Sequence, residues 1–176
     1  MIFLGESYSG PLALRLASHY GERVLGVILV ASFVTSPAPR WFRFLPWESI
    51  FILSTPLNAI RALFSRSKEI SRMMKQISVE LKRSTPTVLA WRVNEVLRCD
   101  ERETLRNCPA PILYLCGTND TIIPQKCLDT IGRIRRDVVA RRISGPHFLL
   151  LASAKEAWSA ITEFITMICN PAPKVK

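Results

Sequence analysis

Cysteine and histidine are scarce in this 176-residue chain, and their spacing excludes much of the chemistry they can carry. The five cysteines are Cys99, Cys108, Cys116, Cys127 and Cys169. Their number is odd and no two are two residues apart, so neither a paired disulfide framework nor a zinc site is expected. Cys116 lies in an apolar run and reads as a core filler. Free thiols fit a reducing, cytoplasmic setting. Long hydrophobic runs are also missing. The longest uncharged stretches, Val24 to Pro39 and Ser49 to Ile60, contain prolines and fall short of the roughly 18 apolar residues of a membrane span. No basic segment precedes Ile2-Phe3-Leu4, so no secretory leader is expected. Internal repeats and low-complexity tracts are absent, apart from a short tail, Asn170 to Lys176, that reads as frayed, with 171–176 disordered.

The net charge is +10, from 24 Lys and Arg against 14 Asp and Glu, yet no block of five like charges occurs. The densest cationic cluster is Arg133, Arg135 and Arg136 with Arg141 and Arg142. No zinc-finger spacing or RNA-binding aromatic motif accompanies it, so a nucleic-acid partner is not expected and a solvated basic surface is. The composition, 48% hydrophobic and 22% charged, is that of an ordinary globular domain.

The pattern that is present alternates strands with helices. Ile2-Phe3-Leu4 ends at Gly5 and reads as the end of a buried strand. Pro11 to Tyr20 reads as a helix closed by Gly21, with Leu12, Leu16 and Tyr20 on one face and Ala13 and Ala17 on another. Val24 to Ala31 is a continuous apolar run, as in a parallel strand buried on both faces. Pro111 to Cys116 predicts a strand, Pro124 to Ile134 a helix with Pro124 in its first turn, and Val138 to Ile143 another strand. Ser153 to Cys169 predicts an amphipathic helix with Ala157, Ile161, Phe164, Ile165 and Ile168 inward. Such alternation implies a parallel sheet with helices on its faces. Residues 36 to 98 differ. They carry eleven basic and four acidic residues, open with Trp41, Phe42, Phe44 and Trp47, and show helical patterns around Ser49 to Leu53, Leu57 to Phe64, Ile70 to Leu81 and Pro86 to Leu97. The expected organisation is an α/β core from 1–35 and 99–170, interrupted by a helical insertion over 36–98.

Three strings carry chemistry. Gly5-Glu6-Ser7-Tyr8-Ser9-Gly10 lies between a strand and a helix, the context of a nucleophile elbow. The turn is so tight that residues two places either side of the nucleophile must be small, which Gly5 and Ser9 are. Ser7 would sit in strained backbone geometry at a helix N-terminus, with the Tyr8 N–H as an oxyanion donor. Gly117-Thr118-Asn119-Asp120 follows the strand Ile112 to Cys116, and an Asp past a parallel strand's C-terminal end lies where active sites form. The competing role for Asp120 is a helix N-cap. Ser144-Gly145-Pro146-His147-Phe148 follows the next strand. His19, near the end of the first helix, reads as structural or exposed.

Ser, Asp and His thus appear in that order, each after a parallel strand, so their strand ends converge on one sheet edge. With these strings the chain closely resembles the α/β-hydrolase-fold esterases. The resemblance implies a partial α/β-hydrolase fold with a short parallel sheet flanked by helices and an all-helical lid over 36–98. It implies a Ser7–Asp120–His147 triad that cleaves a small-molecule carboxylic ester through an acyl-enzyme, with no metal or organic cofactor. Related peptidases, thioesterases and acyltransferases share that triad, and a non-catalytic remnant acting only as a binding module is the alternative. The sequence departs from the family in placing the elbow at residue 5. The earlier strands, and the turn that supplies the second oxyanion N–H, have no counterpart, a loss expected to cost about 10²–10³ in rate. The strand Ile2 to Leu4 would then present an open apolar edge through which the chain could self-associate.

Overall fold

The computed structural model describes residues 1–53 and 83–170. The chain divides into two compact units, Met1–Pro37 together with the residues from Cys99 onward, and Ala38–Arg98. The predicted helices around 57–64 and 70–81 and the tail 171–176 lie outside the described residues.

The first unit is built on four parallel strands in the order β1-β2-β3-β4: β1 Ile2–Glu6, β2 Gly26–Val30, β3 Ile112–Gly117 and β4 Val139–Ile143. Register is continuous, with Leu4 opposite Ile28, Ile28 opposite Leu113, and Leu115 opposite Arg141. Every residue of β2 is buried, which is why its sequence shows no alternation. β4 lies at an edge, and its central Ala140, Arg141 and Arg142 are exposed.

Helices cover both faces. On one face, α1 (Ser9–Tyr20) packs Ala13, Leu14 and Ala17 against Val27, Leu29, Ile112 and Tyr114, joined by Leu105 of α4 (Arg102–Asn107) and Ile131 of α5 (Lys126–Ile134). On the other, α7 (Ala154–Cys169) lays Ala157, Ile161 and Phe164 over Ile28, Val30, Leu113 and Leu115, with Ile165 and Ile168 partly buried beside them. Glu101, 3% exposed, fastens α1 to this layer by accepting Arg15 Nε–H at 2.6 Å and the Thr104 hydroxyl at 2.7 Å.

Element limits differ from the sequence expectation where hydrogen bonds outrank propensity. α1 begins at Ser9, two residues before Pro11, because proline is tolerated in a first turn whose N–H groups lack helical acceptors. α5 begins only at Lys126, so Pro124 precedes it and offers its carbonyl to Cys127 N–H at 2.9 Å. The last helix, expected from Ser153, begins at Ala154, and a further short helix precedes it. A short α6 (Leu149–Ala152) is separated from α7 by Ser153, whose φ of −130° leaves the helical region and whose hydroxyl donates to Ser144 O at 2.8 Å. Cys116, read as a core filler, is only partly buried, because it comes just before β3 leaves the core at Gly117.

In the second unit, a 3₁₀ turn over Arg40–Phe44 leads into α2 (Trp47–Leu53), and α3 runs from Pro86 to Arg98. Trp47 Nε1–H donates to Phe42 O at 2.9 Å, and the Thr87 hydroxyl of α3 donates to Glu48 of α2 at 2.7 Å. Among the described residues no helix is long and apolar enough to cross a membrane, and no group of three His, Cys, Asp or Glu could hold a metal ion.

Candidate active site

The candidate nucleophile elbow is formed where β1 runs into α1 with only Ser7 and Tyr8 between them. Ser7 has φ of +54°, a conformation disfavoured for a residue with a Cβ and characteristic of a constrained functional turn. Its backbone is held on both sides. Ser7 N–H donates to Val30 O at 2.8 Å, and Ser7 O accepts Gly10 N–H at 3.1 Å and the Ser32 hydroxyl at 2.8 Å. The Ser9 hydroxyl, in place of the commoner glycine, donates to Glu6 O at 2.8 Å and adds a second local tie. The Tyr8 N–H has no acceptor among the described residues, which leaves it available as a donor beside Ser7.

Asp120 and His147 come from the loops after β3 and β4. Those loops are joined through their backbones: Thr118 N–H donates to Ile143 O at 2.9 Å and Asn119 N–H to Gly145 O at 3.0 Å. A side chain at Gly117 would stand 2.6 Å from Gly145 O and 2.8 Å from Pro146 O, so glycine is what lets the loops approach. Asp120 is not the N-cap of the following helix, whose N-cap is Gln125; its two oxygens have separate partners. Oδ1 accepts the N–H groups of Ile122 and Ile123 at 2.8 and 2.9 Å, and Oδ2 faces the imidazole.

The three side chains meet. His147 Nδ1 lies 2.9 Å from Asp120 Oδ2, and Nε2 lies 2.8 Å from Ser7 Oγ. In the tautomer that the carboxylate selects, Nδ1–H donates to Asp120 and the Ser7 hydroxyl donates to Nε2. The His147 and Asp120 side chains are 3% and 4% exposed, so this hydrogen-bond chain is shielded from competing water. His19 is exposed and meets Tyr20 edge-on.

Three further residues shape the site without having been singled out in the sequence. Glu6, the last residue of β1, accepts Leu150 N–H at 3.1 Å, and burial pushes its carboxyl above the usual range. Ser32 follows Ala31, itself at φ +43°, just past the end of β2. Tyr114 of β3, 1% exposed, donates its hydroxyl to Ser32 O at 2.6 Å, and burial drives its acidity far below that of free tyrosine. Tyr114, Ser32 and the Ser7 carbonyl thus form a buried strut beneath the elbow. Their sequence signal is weak: a serine just past an apolar strand, at the edge where the other loops gather.

Tyr114→Phe should leave Ser32 O unpaired in the core and destabilise the chain by about 1–3 kcal/mol, whereas Ser32→Ala should cost about 1 kcal/mol because Ser7 O keeps its bond to Gly10. Urea denaturation of the two variants checks the order. Equal stability of Tyr114→Phe and the parent would show that the strut contributes nothing.

No family model matches the chain. Over 73 residues, 40% of its length, it is 36% identical to a pimeloyl-[acyl-carrier protein] methyl ester esterase of Methylococcus capsulatus, of which it spans 29%. Among solved structures it is similar to a carboxylesterase of Nitrososphaera gargenis at 12% identity and a TM-score of 0.75, covering 96% of this chain and 65% of that one. A thermophilic esterase of Thermogutta terrifontis is similar at 19% identity and a TM-score of 0.73, covering 97% and 66% respectively. The chain therefore spans less than a third of the curated relative and just under two thirds of these solved structures.

Proposed function

We propose that this chain, which has the α/β-hydrolase fold, carries the catalytic centre of a serine hydrolase acting on carboxylic esters. The observation that carries this reading is the continuous hydrogen-bond chain from Ser7 Oγ through His147 to Asp120, ending on a serine held at positive φ. In the proposed reaction Ser7 Oγ attacks the acyl carbonyl while His147 Nε2 takes its proton. Asp120 holds the tautomer and stabilises the imidazolium. The Tyr8 N–H donates to the oxyanion, and His147 then protonates the leaving alcohol. Water, deprotonated by His147, adds to the acyl-enzyme; the bond to Ser7 Oγ then breaks, His147 returns the proton to Ser7, and the acid is released. No step calls on a metal or organic cofactor. The names of the similar proteins support ester over amide substrates. A fluorophosphonate probe tests the reading: labelling lost in Ser7→Ala, with turnover of p-nitrophenyl esters and none of matched amides, is expected. An unlabelled chain would overturn it.

Residues 36–98 stand, in sequence, where the family carries a lid, and we assign that role to the helical unit on this ground. Self-association is the second part of the proposal. Among the described residues β1 pairs on one side only, and apolar side chains flank it on both faces. Leu4 and Trp158, 40% and 64% exposed, border a shallow groove with Leu150, Ala154 and Lys155, while Leu12, Leu16 and Tyr20 of α1 lie exposed on the other side. A strand edge with uncovered apolar faces is a template for a second copy. Light scattering should find the chain associated at micromolar concentration, and Leu4→Lys with Trp158→Lys should shift it towards monomer. A monomeric parent chain would reject this contact.

A further inference from the structure

We propose that Glu6 is a positioning residue for the Ser7–His147 pair, tying the segment that carries the base to the strand that carries the nucleophile. This inference rests on the serine-hydrolase reading and deepens it, since neither the triad nor the oxyanion donor accounts for a carboxylate at this position.

Glu6 immediately precedes Ser7 and is the last residue of β1. Its Oε1 accepts the N–H of Leu150, in the short helix that begins two residues after His147. The Leu149 N–H also favours its ionised form. The nucleophile and the base, 140 residues apart, are thus joined twice: by the Ser7–His147 bond itself and by this carboxylate bridge. Only the second survives while the first is exchanged during a proton transfer. An anchor that persists through the step keeps Nε2 aimed at the serine, and misplacement of about 1 Å can cost 10²-fold in rate.

The anchor does not depend on charge. Burial is the largest influence on the Glu6 carboxyl, so it protonates at a higher pH than a free glutamate. Ionised or neutral, the group keeps an oxygen that can accept the Leu150 N–H.

Glu6→Gln and Glu6→Ala test the anchor. Glutamine keeps an acceptor for the Leu150 N–H; alanine removes it. The readout is the second-order rate of Ser7 labelling by a fluorophosphonate, with thermal unfolding followed in parallel. For Glu6→Gln the rate should stay within about threefold of the parent, and for Glu6→Ala it should fall by roughly 10- to 100-fold even in protein that remains folded.

A residue that merely braced the loop would lower the stability of Glu6→Ala and leave the labelling rate of its folded fraction at the parent value. That result overturns the role. A parent chain that no fluorophosphonate labels overturns the reading of Ser7 as nucleophile, and the role of Glu6 with it. Labelling of the parent alongside unchanged variants isolates the failure to Glu6.

Discussion

Ser7→Ala and His147→Ala are each expected to remove nearly all of the proposed esterase activity, by about 10⁶-fold where the parent rate leaves room to measure it, and Asp120→Ala about 10⁴-fold. The order follows from the role proposed for each group. In that mechanism Ser7 supplies the attacking oxygen, and His147 is the group placed to accept its proton. Nε2 is the contact at 2.8 Å. Asp120 does not touch the reacting atoms. It holds Nδ1–H at 2.9 Å, and its loss frees the imidazole to adopt the other tautomer, which presents N–H rather than a lone pair to the serine. Asp120 also holds its own loop, since Oδ1 accepts the N–H groups of Ile122 and Ile123. Asp120→Asn, with its carbonyl oxygen turned to those N–H groups, should therefore keep the fold better than Asp120→Ala while still losing most of the rate. Steady-state kinetics with a p-nitrophenyl ester, paired with denaturation curves, checks both statements. The three losses should not add in combination, because the groups act as one unit. Equal rates in the parent and Ser7→Ala would show that the measured hydrolysis arises elsewhere.

The parts of this site that could be read from the sequence are those whose physics is local. A buried parallel strand writes itself as an uninterrupted apolar run, and Val24 to Ala31 contains β2. The elbow writes itself as small residues at fixed offsets from a serine between a strand and a helix. Asp120 and His147 were legible because parallel strands bring their C-terminal ends to one edge, so position after a strand predicts proximity without any side-chain detail. What was not legible depends on contacts between distant segments. Ser32 is unremarkable in Ala31-Ser32-Phe33, and its significance appears only when Tyr114 is found beneath it and the Ser7 carbonyl above. Glu6 occupies a position that the elbow pattern leaves unspecified. Its partner is a backbone N–H 144 residues away, which no periodicity encodes. The short α6 was hidden for a similar reason. Leu149 to Ala152 and Ala154 onward are both helical in character, and the separation comes from a hydroxyl reaching back to Ser144. On α1, the two faces were visible but their ranking was not. The small face of Ala13 and Ala17 packs closely on the sheet, whereas Leu12, Leu16 and Tyr20 stay exposed. Close approach of helix to strand favours small residues, and hydrophobicity alone does not say which apolar face wins.

That close approach makes Gly5→Ala the substitution with the largest expected structural effect. A Cβ at Gly5 would lie 2.4 Å from Ser9 O, 2.6 Å from Ser9 C and 2.7 Å from Gly10 Cα. All three are backbone atoms of the first turn of α1, so no side chain can turn aside to relieve the overlap. The helix would have to lift away from β1, and two sets of interactions resist that. Ser7 N–H is fixed to Val30 O and Ser7 O to Gly10 and Ser32, so lifting α1 strains the elbow itself. Ala13, Leu14 and Ala17 are buried against the sheet, so lifting also opens gaps in the core on that face. Overpacking of side chains typically costs about 1–3 kcal/mol. A backbone collision at a turn already held at positive φ should exceed that range and reach about 4 kcal/mol or more, a large fraction of the stability of a domain this size. Urea denaturation should show the loss. Any protein that remains folded should label with fluorophosphonate at least 100-fold more slowly than the parent, because a shift of about 1 Å at Ser7 Oγ breaks the contact with His147 Nε2. Gly132→Ala is the matching control: a Cβ there meets nothing within 4 Å, and alanine is the better helix former, so stability should hold or rise slightly. If Gly5→Ala and Gly132→Ala proved equally stable and equally reactive, the tight strand-to-helix turn would not be what holds Ser7 in place.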